Sequence, residues 1–92
     1  MKKILCLCEA RHEMPACVEG SVYPQNINPL DLEGLHKQAV KACKGISELT
    51  LYVTGLTVAL VSVINACNKL GVNLTLMHYN SATGDYYAQK VQ

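Results

Sequence analysis

Between Leu49 and Tyr79 an apolar strand, a polar turn, an almost wholly apolar helix and a second apolar strand follow one another. This block constrains the fold more than any other part of the chain. Leu49 to Val53 runs into Thr54-Gly55-Leu56-Thr57, a helix is expected over Leu56 to Leu70, and Gly71 ends it. The second strand spans Asn73 to Tyr79. Its polar end, His78-Tyr79, and the polar strand-to-helix turn stand where an open α/β sheet binds ligands. A helix N-terminus at that edge favours an anion. The chain therefore reads as a small phosphate- or nucleotide-handling unit, although Gly55-Leu56-Thr57 lacks the spacing of a P-loop or a dinucleotide fingerprint.

The flanking segments extend the same pattern. Lys3 to Cys8 is a short continuous apolar run, as a buried strand requires. Glu9 to Pro15 is a polar loop, and Cys17 to Tyr23 is expected as a short second strand bounded by Pro24. Asn28-Pro29-Leu30-Asp31 carries helix-start signals, with Asn28 as the cap and Pro29 in the first turn. Leu32, Leu35, Ala39, Val40 and Cys43 then recur at the helical period, and Gly45 suits the C-terminal cap. Glu48 to Thr54 is the third strand. Ser81 to Gly84 is a turn, from which Asp85 to Val91 returns as a hairpin partner.

The expected fold is a single small Rossmann-like α/β domain spanning 1–92. Its sheet is four- or five-stranded and partly parallel, with two main helices and a C-terminal hairpin in the order β-β-α-β-α-β-β. The polar residues Ser62, Asn65 and Lys69 form only a narrow stripe on the second helix. One sheet face cannot bury the rest of its circumference, so a homodimer is expected.

Composition excludes several functions. Half of the 92 residues are hydrophobic, too many for a disordered chain. A formal net charge of +1 offers no bulk attraction to duplex nucleic acid, so any nucleic-acid contact is local. The N-terminal apolar run breaks at Glu9, short of a secretory core. Polar residues interrupt the second helix, so no membrane span is expected. Five cysteines at irregular spacing suit reduced thiols and a cytoplasmic location. Cys6, Cys8, His12 and Cys17 lack the pairwise spacing of a zinc knuckle, so neither a metal site nor a cofactor is expected.

Three groups carry candidate chemistry. At the first, Thr54, Gly55, Leu56 and Thr57 offer hydroxyls beside free helix-start amides, though threonine is also an ordinary cap. The second follows the first strand: Glu9, Arg11, His12 and Glu13. Arg11, the only arginine, presents a planar fork for phosphate, and His12 can move a proton near neutral pH. The plain alternative is a solvated charged loop. The third is His78, Tyr79 and Asn80, whose imidazole, phenol and carboxamide suit a base, a ribose or a phosphodiester. Here the plain alternative is a hairpin whose tyrosines serve strand formation.

Two resemblances bear on these groups. Met1 to Cys8 resembles the phosphotransferase-system IIB subunits, in which a cysteine after the first strand carries a phosphoryl group. Glu9-Ala10-Arg11-His12-Glu13 stands where that family has a small Gly/Ser-rich loop, and Glu9 would oppose a phosphocysteine. The layout from Leu32 to Val91, with Thr54-Gly55-Leu56-Thr57 as its phosphate-facing turn, resembles small CRISPR-associated Rossmann-like (CARF-type) proteins and ring nucleases. That resemblance implies a symmetric dimer with a pocket for a cyclic oligoadenylate across the twofold axis, in antiviral defence. It also implies a metal-independent hydrolase with His12 or His78 as acid or base and Arg11 on the phosphate. Thr54, Gly55, Leu56 and Thr57 would hold the ring, with Glu9, Tyr79 and Asn80 beside it. A protein that binds the cyclic nucleotide without cutting it shares the pocket. A structural oligomer-forming protein would instead turn His12 and His78 away from any shared cleft.

Overall fold

The structure is a computed structural model that describes residues 1–9, 14–54 and 56–91. Its elements follow the expected order: β1 (Lys2–Cys8), β2 (Ser21–Tyr23), α1 (Leu32–Cys43), β3 (Glu48–Tyr52), α2 (Thr57–Leu70), β4 (Asn73–Asn80) and β5 (Asp85–Lys90). They form a small α/β domain on one five-stranded sheet, ordered β2-β1-β3-β4-β5. The first four strands in that order run parallel, and β5 closes the edge as an antiparallel hairpin with β4.

Two crossovers, β2 to β3 through α1 and β3 to β4 through α2, step across the sheet in the same direction. Right-handed connections that step the same way lie on the same face, so both helices cover one side. Strand alternation then sorts the side chains. Leu49, Leu51, Leu74 and Leu76 point under the helices and are at most 4% exposed. They join Leu7, Ala39, Cys43, Ala59, Val63, Ala66 and Cys67 in one core. Small residues line the contact between helices, where the Cys43 and Cys67 sulfurs lie 3.9 Å apart. Full burial of each leucine contributes about 1.5–3 kcal/mol.

Several local expectations are revised. Helix α1 is capped by Asp31, whose Oδ1 accepts from the Gly34 amide at 3.0 Å. Asn28 instead turns the chain before the helix, its Oδ1 accepting from the Leu30 amide. A Cβ at Gly34 would press on the end of the Asp31 side chain, which would have to turn aside. Strand β2 is only three residues long; ahead of it the Ile4 amide donates to the Glu19 carboxylate while the Glu19 amide donates to the Ile4 carbonyl. Gly71, at φ +70°, ends α2 as expected.

Ser62 is buried, donating to the Val58 carbonyl, and does not belong to a solvated stripe. Helix α1 supplies much of the cover that α2 needs. Val61 and Leu56 remain 48% and 41% exposed. No helix among the described residues is long and apolar enough to cross a membrane.

Candidate functional site at the carboxyl edge of the sheet

The connection from β1 turns outward to β2, whereas the connection from β3 turns the other way to β4. The strand order therefore reverses between β1 and β3. In open α/β sheets the crevice outside the carboxyl ends at such a point is where ligands bind. Two segments that sequence reasoning singled out leave the sheet there, one after Cys8 and one after Tyr52.

Thr54 ties these segments together. Its Oγ1 accepts from the Cys8 amide and donates to the Cys8 carbonyl, both at 3.2 Å. The Glu9 amide, one residue on, donates to the Tyr23 carbonyl at 2.9 Å. The start of the Glu9 to Glu13 segment is thus held between β3 and β2. Arg11, His12 and Gly55 lie outside the described residues. Thr54 does not cap α2, because its hydroxyl is engaged with Cys8.

The N-cap of α2 is Leu56, with no side-chain hydrogen bond to the first turn. No acidic residue stands in that turn, and Thr57 is the first helical residue. The first-turn amides and the positive end of the helix dipole therefore lack an acidic or capping side chain from the helix itself. Cys8 sits against this end. Burial raises its thiol above the ordinary cysteine value, and the Leu56 amide works in the opposite direction. Tyr23, beneath the crevice, donates to the Leu35 carbonyl at 2.8 Å, and burial pushes its phenol up to about 12.

The β4 residues separate from one another. Strand β4 continues to Asn80, so His78 lies inside the strand and not at its end. Alternation places His78 on the helix-covered side, in line with Leu74 and Leu76. Its Nε2 lies 2.8 Å from Gln89 Oε1, and its ring stacks at a tilt on Tyr87, 5.3 Å between centroids. Tyr79 points to the opposite face and packs edge-on against Tyr86. Asn80 shapes the hairpin: its Oδ1 accepts from Ala82 and its carbonyl from Thr83 and Gly84.

The structure thus brings Glu9, Thr54, Leu56 and Thr57 to one edge, and holds His78 and Asn80 in the β4–β5 pair. Sequence reasoning missed the Cys8–Thr54 clamp and the joining of Tyr52, Tyr79 and Tyr86 on one face. The available signal was the alternation of 52 with 54 and of 77 with 79, but using it requires the register between strands. Among the described residues no group of three or more His, Cys, Asp or Glu side chains is placed to hold a metal ion. Compared with protein-family models, with curated proteins and with solved structures, the chain finds no match.

Proposed function

We propose that this chain binds a cyclic oligoadenylate at the carboxyl edge of its sheet and cleaves it without a metal, as a homodimer. The observation that carries this reading is the Thr54–Cys8 clamp at the point where the strand order reverses. It joins the segment bearing Arg11 and His12 to the segment that starts an uncapped helix. A helix start suits an anion, and an arginine suits a phosphodiester. In the reaction a ribose 2′-hydroxyl attacks the neighbouring phosphorus as His12 takes its proton. The new O2′–P bond forms, the P–O5′ bond breaks, and a protonated group returns a proton to O5′. Products are a 2′,3′-cyclic phosphate and a 5′-hydroxyl. Arg11 and the α2 amides offset the charge gathering on phosphorus. Dimerisation draws support from exposed Leu32 and Val61, which flank an apolar groove of about 360 Å³ between the helices.

One observation favours capture without cleavage. His78, one of the two candidate acid–base groups, is engaged by Gln89 and Tyr87 within the β4–β5 pair. The test incubates purified protein with cyclic tri-, tetra- and hexa-adenylate in EDTA, following binding and products together. Replacing His12 with alanine slows cleavage about 100-fold or more while sparing binding. Tight binding with no product establishes capture, and no binding overturns both readings.

A further inference from the structure

The helix-free face of the sheet is organised in rows. Ile4, Thr50, Thr75 and Lys90 form one row, and Cys6, Tyr52, Met77 and Ala88 form the next. Carrying the register two residues further aligns Thr54 with the cross-strand pair Tyr79 and Tyr86. The tyrosine row therefore continues directly from the Thr54–Cys8 clamp.

Three aromatic rings meet there. Tyr86 lies 4.8 Å from Tyr52 and 5.3 Å from Tyr79 between centroids, both edge-to-face. Tyr52 is 8% exposed, with its hydroxyl 3.7 Å from Cys17 Sγ, so Tyr86 is braced from a fixed side. Tyr79 is 55% exposed. Further along the same face, Lys2, Glu48, Thr50, Thr75 and Lys90 border a hollow of about 350 Å³, in which Lys2 is paired with Glu48 at 3.2 Å.

We infer that Tyr79 and Tyr86, braced by Tyr52, form a stacking platform for the purine bases of the ligand whose phosphate lies at the carboxyl edge. The inference rests on the proposed nucleotide binding and names the surface that reads the base. Aromatic rings on an open sheet face stack bases because every base presents a π-face, and rings already locked by their neighbours lose little freedom on binding. Continuity with the clamp favours a ligand that spans both places, with phosphate at the helix start and base on the rings. Lys90, at the far end of the same face, suits a ligand that alternates bases and phosphates, whereas Lys2 is already paired with Glu48.

Tyr87 provides an internal control. It is 56% exposed, nearly the same as Tyr79, but lies on the opposite face. The experiment labels the unmodified protein with a tyrosine-selective triazolinedione, with and without cyclic tetra-adenylate, and reads each site by mass spectrometry. Calorimetry establishes saturation. The expected result is labelling of Tyr79 reduced about fivefold or more by ligand, with Tyr87 within about twofold of its free value. Affinity falls about tenfold in Tyr79→Leu and is retained in Tyr79→Phe. Saturating ligand that leaves Tyr79 and Tyr87 equally reactive overturns the platform and leaves nucleotide binding standing. A Tyr79 already unreactive before ligand is added means that a second copy covers the face, and also overturns it. Failure of the parent protein to bind any of the cyclic oligoadenylates overturns the functional reading and the platform with it.

Discussion

The two faces of the sheet are made from the same strands and solve different problems. Under the helices, Leu49, Leu51, Leu74 and Leu76 are closed off from water by α1 and α2. On the other side the intervening residues are Thr50, Tyr52, Thr75, Met77 and Tyr79, and no helix among the described residues covers them. The first face supplies stability in a short chain with one small core. The second is closed off at Tyr52, beneath Tyr86 and Cys17, and is free for recognition where Tyr79 stands exposed. What lies at the upper edge of both faces, the Thr54–Cys8 clamp, connects the stable layer to the open one.

The difference between the faces is sharpest in stability. Leu51→Ala, in the covered layer, is expected to cost about 2–5 kcal/mol through lost burial and the cavity left behind. Thr50→Ala, its neighbour on the open face, is expected to cost less than about 1 kcal/mol. Urea unfolding of the two variants checks this pair directly, and equal losses would mean that the open face is covered as well.

Alkaline pH probes the covered side without a mutation. The Tyr23 phenol is raised to about 12 in the folded protein, burial being the main cause. A group whose folded value is raised binds its proton more tightly when folded, so its contribution is complete below the unfolded value and is lost as pH climbs through the folded one. For Tyr23 the loss runs from about pH 10 to about pH 12 and amounts to about 3 kcal/mol. Cys8 is also raised, by burial, and its contribution has the same sign and begins to fall near the ordinary thiol value. Cys43 and Cys67 share a hydrogen bond that lowers the first and raises the second, so their contributions oppose one another. Melting temperature should therefore drop steadily above about pH 9, and Tyr23→Phe should flatten the upper part of that fall.

A smaller effect is expected at the junction of the two faces. Thr54→Val removes two hydrogen bonds to the Cys8 peptide groups and is expected to cost about 1–2 kcal/mol. Thr54→Ser keeps the hydroxyl and should lie close to the parent. Thermal melts rank the three proteins. A valine variant as stable as the parent would show that the clamp does not hold the β1 and β3 exits together.

Much of this arrangement was legible in the sequence, for identifiable reasons. Segment 49–79 announces itself because its strands are continuous apolar runs and its helix is long, with Gly71 as a stop. The start of α1 was harder to place. Asn28, Pro29 and Asp31 all carry helix-start chemistry, and only the pairing of Asn28 with Leu30 and of Asp31 with Gly34 decides between them. The state of His78 was hidden because it depends on Gln89 and Tyr87 across the hairpin. The tyrosine row was hidden for the same reason: Tyr52 and Tyr86 are far apart in the chain and meet only through the β3–β4–β5 register.

The central claim is that the carboxyl edge holds a cyclic oligoadenylate, and calorimetric titration of cyclic tetra-adenylate into the protein in EDTA tests it most directly. Saturable binding is predicted, with one ring shared between two protomers. Arg11→Ala is predicted to weaken it by about 1.5–3 kcal/mol, the value of a charge-assisted hydrogen bond. Absence of saturable binding for this ring and for its tri- and hexa-adenylate counterparts, or binding that Arg11→Ala leaves unchanged, would contradict the account.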